Sequence, residues 1–171
     1  MSSNAVVAGD SFRDFMSRFP TGVAVVSTTD QSGNPMGMTC SSLTSVCISP
    51  PTLLVCLQTE GATFQAVRQQ GTFAVNLLRD EGRKAAGVFS SPIRNKFAQV
   101  SWRWSASRLP WLDDAMAVAD CRVRDVVSVG DHTVVFGEVF DIAMDEGEPL
   151  LYGMRMLFSA GGARTPVEVR S

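Results

Sequence analysis

The order of hydrophobic and polar positions along the chain predicts a mainly β protein with a few short helices. Eight segments carry the alternating or continuous apolar patterns of β-strands and are bounded by turn-forming residues. They are 22–29, 36–42, 45–49, 52–58, 73–78, 117–129, 132–145 and 150–159. Short turns at 30–35, 130–131 and 146–149 join several of these strands as antiparallel hairpins.

Three segments carry helical periodicity instead. Near the N-terminus, apolar side chains recur at the i, i+3, i+4 and i+7 spacing of an amphipathic helix, which we expect Asp10 or Ser11 to cap and Pro20 to end. They are Phe12, Phe15, Met16 and Phe19, and we expect the first three to pack within the chain. Residues 62–70, closed by Gly71, and 80–90 form two further helices. A long loop at 91–114 follows, and its length marks it as a functional or interface element.

This order of elements favours a split antiparallel (Greek-key) β-barrel with helices over its ends. The helices do not alternate regularly with the strands, which disfavours a doubly wound parallel sheet. The 171 residues fit one domain. We place it at residues 10–159, between a disordered N-terminus at 1–9 and a flexible tail at 160–171.

Charge is distributed unevenly along the chain. From Phe19 to Leu78 only Asp30, Glu60 and Arg68 carry a charge, so this stretch belongs in a core, at a subunit interface or around a ligand. Because charged residues are depleted at the centre of interfaces, we expect a homodimer. The net charge is −2, with no basic block, which argues against nucleic acid as a partner.

Composition excludes several other classes. No apolar run approaches the roughly 18–20 residues of a membrane helix, and the first residues lack a signal-peptide pattern, so we expect a cytoplasmic protein. The cysteines show neither a CxxC pair nor zinc spacing, and we expect free, mostly buried thiols and no metal site. They are Cys40, Cys47, Cys56 and Cys121. Rossmann, P-loop, zinc-protease and α/β-hydrolase motifs are absent from the sequence.

Two features remain as candidates for chemistry. Residues 39–45 place five hydroxyl side chains in an apolar region, where unpartnered hydroxyls are costly. These hydroxyls either bond locally to the backbone or face a polar, planar ligand such as a flavin, whose phosphate a nest of backbone N–H groups would hold. His132, the single histidine, follows a turn and is by itself more typical of a plain polar turn residue.

Four motifs in a fixed order resemble the flavin reductase family of small NAD(P)H:flavin oxidoreductases. They are FPTGVAVVSTTDQSGNPMGMTCSSLTSVCISPPTLLVCL, FAVNLL, NKFA, and GDHTVVFGEV with the later GEPLLY, and the resemblance covers roughly residues 12–158. The resemblance implies the FMN-binding split-barrel fold and hydride transfer from NADH or NADPH to FAD or FMN. It also implies release of the reduced flavin to a flavin-dependent monooxygenase or halogenase. We expect NADH, since no Arg pair for a 2′-phosphate stands out, and FAD rather than FMN.

The resemblance also implies which residues form the site. The expected flavin-binding residues are Met38, Thr39, Cys40, Ser41, Ser42, Ser45, Val46, Cys47, Thr63, Lys96 and Phe97. The expected nicotinamide-nucleotide residues are His132, Asp131, Gly130, Arg18 and Arg155. Lys96 would place a positive charge near the flavin phosphate. No catalytic side chain and no metal ion is implied, because hydride passes directly between two stacked cofactors.

The chain departs from the family pattern at Cys40, Leu43 and Cys47, and after Tyr152 it lacks the family's Arg-Gly pair and tyrosine. Two other functions therefore stay open from the sequence. One is a split-barrel carrier or sensor that holds flavin or heme without NADH turnover. The other is a ligand-free interaction module whose apolar first half forms a dimer surface.

Overall fold

A computed structural model describes residues 6–161, and it is mainly β, as the sequence predicts. The helices are α1 (Gly9–Ser17), α2 (Ala62–Gln70) and α3 (Arg83–Ser90), with 3-10 turns at Asp80–Gly82 and Lys96–Gln99. The strands are β1 (Thr21–Gly22), β2 (Ala24–Thr29), β3 (Pro35–Cys40), β4 (Thr44–Ile48), β5 (Pro51–Gln58), β6 (Thr72–Leu78), β7 (Trp102–Trp104), β8 (Pro110–Leu112), β9 (Ala115–Val129), β10 (His132–Met144), β11 (Leu150–Gly153) and β12 (Met156–Ser159). Residues 1–5 and 162–171 lie outside the described residues. They make up most of the two tails that the sequence predicts at 1–9 and 160–171.

Seven strands form one antiparallel sheet in the order β3-β2-β6-β9-β10-β5-β4. The sheet curls until its two ends meet at Ser42. The Ser42 hydroxyl accepts a hydrogen bond from the Cys56 N–H at 2.9 Å and donates one to the Cys56 carbonyl at 3.2 Å. Strands β1, β11 and β12 form a smaller sheet, and β7 pairs with β8. The result is the expected split antiparallel barrel with helices packed outside it.

The apolar run at the start of the chain is continuous because β2 is buried on both faces. Ala24 and Val26 belong to the core cluster that includes Phe73, whereas Val25 belongs to a second cluster that includes Phe89 of α3. Successive side chains of a strand point to opposite faces, so one strand serves both clusters. This burial explains part of the charge-poor stretch.

Gly137 on β10 makes room for the largest side chain of the barrel interior. A Cβ at this position would lie 2.5 Å from Phe73 Cζ and 3.0 Å from Cys121 Cβ. Phe73 is fully buried, and it fills the space that a residue with a side chain at 137 would need.

Helix α1 differs from its prediction both at its start and in its packing. It begins at Gly9, and no side chain caps it, so Asp10 lies within the first turn. None of its residues is buried, and Phe12 and Phe15 remain 57% and 69% exposed. The expectation that its apolar stripe packs within the chain is therefore wrong.

The predicted loop at 91–114 also contains a hairpin, β7–β8, that buried polar groups hold in place. Trp111 Nε1 donates to Asp120 Oδ1 at 2.6 Å, and Ser105 Oγ donates to Asp120 Oδ2 at 2.8 Å. The Leu112 N–H donates to Asn76 Oδ1 at 2.8 Å. Burial raises the pKa of the Asp120 carboxyl above its usual range.

The last predicted strand, 150–159, is in fact the hairpin β11–β12. The chain reverses at Met154 and Arg155, which both adopt positive φ. The Met154 N–H donates to the Ser17 carbonyl at 2.6 Å, which ties this hairpin to the end of α1. None of the helices within residues 6–161 has the length and apolarity to cross a membrane.

Candidate functional site

Two adjoining cavities lie on the outer side of β3, next to α3. The larger has a volume of about 730 Å³ and lies among β3, the start of α2, residues 89–97 and His132. The smaller has a volume of about 350 Å³ and lies among β3, α3 and the β11–β12 hairpin. Thr39 and Ser90 line both cavities, so the two adjoin at these residues, and together they are called the cleft.

Strand β3 and the residues after it divide the hydroxyl cluster between the cleft and the barrel wall. Ser41 is exposed, lines the smaller cavity, and makes no hydrogen bond within residues 6–161. Thr39 lines both cavities, while its hydroxyl donates to the Ala86 carbonyl of α3 at 2.7 Å. Cys40 is buried in the core, and the Ser42 hydroxyl bonds to Cys56. Among the described hydroxyls of residues 39–45, Ser41 is therefore the one that both lines the cleft and has no partner.

Lys96 brings a positive charge to the larger cavity. Its ammonium donates to the Phe89 carbonyl at 2.8 Å, at the C-terminal end of α3, and lies 3.4 Å from the Gly37 carbonyl of β3. A cation is favourable at the negative end of a helix. Burial lowers the pKa of Lys96. Phe97 is buried next to it and packs edge-on against Phe89 with ring centroids 4.9 Å apart.

The start of α2 adds neutral donors to the same wall. Thr63 lines the larger cavity, and no side chain caps the helix at Gly61. The N–H groups in the first turn of a helix have no partner within the helix and favour a negative charge nearby. Thr63 is therefore in a suitable place for the phosphate contact that its sequence position suggested.

His132 lines the larger cavity together with Lys96. It begins β10 after a two-residue turn, in which Gly130 has φ +59°. Its Nδ1 lies 2.8 Å from Asp131 Oδ1, a contact that lowers the pKa of the Asp131 carboxyl. Because Nδ1 is held in this way, Nε2 is the ring nitrogen left for a ligand.

Nine predicted site residues line neither cavity. Four of them, Cys40, Ser42, Gly130 and Asp131, lie in the segments that carry Ser41 and His132, and the other five lie elsewhere. Ser45, Val46 and Cys47 are exposed on β4, the edge strand that pairs with β5. Arg18 and Arg155 lie 3.5 Å and 3.9 Å from the Asp14 carboxylate, at the junction of α1 with the β11–β12 hairpin. Their assignments to flavin and nicotinamide stay predictions, and this chain alone does not bring them together with the other site residues.

Other cleft residues were missed or left without a role by sequence reasoning. Tyr152 and Leu157 line the smaller cavity, opposite Ser41. Gln58, Phe89 and the loop at 91–95 line the larger one. The length of the 91–114 segment was the one available signal, because it indicated a functional loop.

The thiols take no part in the cleft through their side chains. Burial raises the pKa of the Cys40 thiol, and it raises that of Cys121 to about 12, so both stay protonated near neutral pH. Cys47 is exposed and Cys56 half-buried, so two of the four thiols are fully buried rather than most of them. Within residues 6–161 no three His, Cys, Asp or Glu side chains form a group that could hold a metal ion.

The cleft fits a flavin and a nucleotide. Its volume lies in the range of small-molecule sites. The smaller cavity has mostly apolar walls with the free Ser41 hydroxyl, which suits a planar ring with a polar edge. The larger cavity adds Lys96 and the first turn of α2, which suit phosphates. These features are typical of a class of protein that binds a small molecule with a planar ring and phosphates beside an antiparallel barrel.

Comparison with known proteins identifies the family within this class. A family model described as a flavin reductase like domain matches residues 16–161, so the chain belongs to the flavin reductase family. The chain is 52% identical over 152 residues to a "Flavin reductase (NADPH)" of Lentzea aerocolonigenes, covering 88% of each chain. It is an oxidoreductase of the flavin reductase type.

Solved structures show the same fold. The NADH:FAD oxidoreductase SgcE6 of Streptomyces globisporus C-1027, in complex with NAD and FAD fragments, superposes with a TM-score of 0.83 at 31% identity, covering 91% of this chain and 96% of that one. BorF, the flavin reductase component of a bacterial two-component tryptophan halogenase, superposes with a TM-score of 0.83 at 26% identity, covering 91% and 100%.

Proposed function

We propose that this protein transfers hydride from NADH to FAD or FMN and releases the reduced flavin to a separate flavin-dependent monooxygenase or halogenase. The observation that carries the proposal is the pair of adjoining cavities, one neutral and largely apolar, the other lined within residues 6–161 by two cations and no carboxylate. When bound, the two cofactors supply the chemistry, as hydride moves from the nicotinamide ring to the flavin ring.

The protein's own groups position the rings and their phosphates. Ser41 and the backbone of β3 form hydrogen bonds with the polar edge of the flavin. Thr39 lies where the two cavities adjoin. Lys96 and Thr63 hold phosphate, and His132 contacts the nicotinamide nucleotide. Face-to-face placement at roughly 3–3.5 Å between reacting atoms needs no nucleophile.

Release of the flavin follows from the character of the ring-binding wall. Within the described residues, the smaller cavity is lined by apolar residues and neutral hydroxyls and carries no charged side chain. Such a wall gives modest affinity and permits exchange with solution. We also propose a cytoplasmic location, in keeping with the reducing conditions in which four unpaired cysteines persist.

We propose a homodimer as the working form. Large apolar side chains stay exposed on and just after α1, on the edge strand β4 and towards the end of β10, among them Phe15, Phe19, Ile48, Ile142 and Met144. Exposed apolar patches and open strand edges are typical of interaction surfaces. Strand β4 also lies in the charge-poor stretch. Light scattering at micromolar protein should give twice the mass of the chain, and a monomer would overturn this part of the proposal.

A steady-state assay tests the reaction. Anaerobic mixtures of enzyme with NADH or NADPH and excess FAD or FMN should bleach flavin absorbance over many turnovers. Bleaching of a single equivalent would contradict release, and a yellow protein indifferent to both nicotinamides would indicate a carrier or sensor instead. His132→Ala should raise the KM for NADH more than the KM for flavin. An unchanged profile would remove His132 from the site.

A further inference from the structure

Arg94 stands out among the arginines because it lines the cleft and has no partner. Within residues 6–161, seven arginines lie within 4.0 Å of a carboxylate. Arg108 and Arg122 lie over aromatic rings instead. In the same range the side chains of Arg68 and Arg94 make no hydrogen bond, ion pair or ring contact. Of these two, Arg94 lines the larger cavity and Arg68 does not.

The wall around Arg94 is free of competing negative charge. The described lining of the larger cavity includes the cations Arg94 and Lys96 and no Asp or Glu, although the chain as a whole carries a net charge of −2. The positive potential is therefore local to this wall. An anion that enters the cavity meets two cations, and no carboxylate in the wall neutralises either of them.

The loop that carries Arg94 is anchored on both sides. The Ser91 hydroxyl donates to the Val88 carbonyl at 2.7 Å, at the end of α3. On the other side, the Lys96 ammonium is held by the Phe89 carbonyl. Arg94 is exposed and lies between these two anchors. The loop therefore holds Arg94 beside the cavity while its guanidinium stays unpaired within residues 6–161, and Lys96 is already committed in part to the backbone.

We propose that Arg94 is a specificity-determining residue that binds a phosphate group of a nucleotide substrate, with Lys96 as its neighbour. The inference deepens the proposed function and rests on it. A guanidinium offers a planar fork of N–H donors that matches phosphate oxygens with two parallel hydrogen bonds, whereas lysine offers a point charge. The phosphate belongs either to the flavin or to the nicotinamide nucleotide, and both carry the chemistry that Arg94 recognises.

Binding measurements on Arg94→Gln, Arg94→Lys and the matched control Arg68→Gln test the proposal. The ligands are riboflavin, FMN, FAD, NADH and NADPH, each titrated by fluorescence, and the oxidised flavins need no turnover. Arg94→Gln should weaken at least one phosphorylated ligand about tenfold while riboflavin binding stays unchanged, since charge-assisted contacts are the stronger ones. Arg94→Lys should recover part of the loss, and Arg68→Gln should bind all five ligands like the wild type.

The pattern of loss identifies the phosphate. Weaker binding of both FMN and FAD, with riboflavin unchanged, would assign the phosphate to the flavin. Weaker binding of FAD alone would assign it to the diphosphate of FAD. Weaker binding of NADPH than of NADH would assign the phosphate to the 2′-phosphate of NADPH. An equal loss of affinity for both nucleotides would assign it to their diphosphate. The proposal is overturned if Arg94→Gln matches Arg68→Gln for every ligand, or if riboflavin loses as much as the rest. Failure of the wild type to oxidise either nicotinamide would instead reject the proposed function, and the flavin titrations would still test Arg94.

Discussion

Replacing Ser42 and Ser41 by alanine, one at a time, separates the barrel-closing hydroxyl from the ligand-facing one. Strand β4 pairs with β5 as far as the Thr44–Leu54 pair. Beyond that pair, at Cys56, the Ser42 hydroxyl takes the place of a strand neighbour by bonding both the N–H and the carbonyl. Ser41 makes no such bond and lines the smaller cavity.

The size of each effect follows from these contacts. Two hydrogen bonds at a net 0.5–1.5 kcal/mol each make Ser42→Ala less stable by about 1–3 kcal/mol. For a domain of this size that loss lowers Tm by roughly 2–12 °C. Ser41→Ala removes one contact to a bound flavin and should raise the flavin Kd by about two- to tenfold, with little change in Tm.

Thermal unfolding and flavin titration on both variants and the wild type provide the assay. We expect Ser42→Ala to shift Tm and leave the flavin Kd near that of the wild type below its transition, and Ser41→Ala to do the reverse. If Ser42→Ala kept its Tm and lost flavin affinity, the Ser42 hydroxyl would face the ligand and our division of the cluster would fail.

Three further predictions follow from packing and charge. Gly137→Ala places a Cβ against Phe73 and should lower the free energy of unfolding by about 1–3 kcal/mol, measured in urea, whereas unchanged stability would mean that the interior yields easily. Burial raises the pKa of Asp120, so the native state keeps that proton to higher pH than the unfolded chain. The stability of the wild type relative to Asp120→Asn should therefore fall as pH rises above 3.8 through the raised pKa, and a difference independent of pH would contradict this. Lys96→Met should raise the KM for FMN and FAD more than that for riboflavin. The wild type should also lose its preference for FMN and FAD over riboflavin as pH rises and Lys96 loses its proton. Because burial lowers the pKa of Lys96, this loss should occur at a lower pH than it would for an ordinary lysine.

The strands with clear alternation were predictable, and the elements fixed by distant polar contacts were not. The β9–β10 hairpin follows from its pattern and from the Gly130 turn. The β7–β8 hairpin depends on Asn76, which is 36 residues from its partner Leu112, and sequence spacing carries no sign of that bond. The β11–β12 hairpin turns through Met154 and Arg155 at positive φ, positions where a sequence reader expects Gly or Asn.

The site was predictable to a similar degree. The family resemblance placed Thr39, Ser41, Lys96 and His132 in the region that the cleft occupies. It did not tell which hydroxyls face the cleft, because that depends on how β3 meets β5 when the barrel closes. It also gave no role to Arg94, whose significance lies in having no partner and in the absence of carboxylates from the described cavity wall.

The charge-poor stretch from Phe19 to Leu78 serves three purposes in this structure. Strands β2 and β6 fill the core, β4 forms an exposed apolar edge, and β3 with the start of α2 supplies neutral walls to the cleft. The cations of the larger cavity come from a later segment, 94–96, so the positive charge of the cleft and the neutral wall of the smaller cavity are separate along the chain. A neutral ring pocket does not compensate the charge of a phosphate, and a cation at the mouth adds little to the binding of an uncharged ring. Substitutions in 94–96 should therefore change which phosphorylated nucleotide binds, whereas substitutions at 39–41 should change the affinity for every flavin alike.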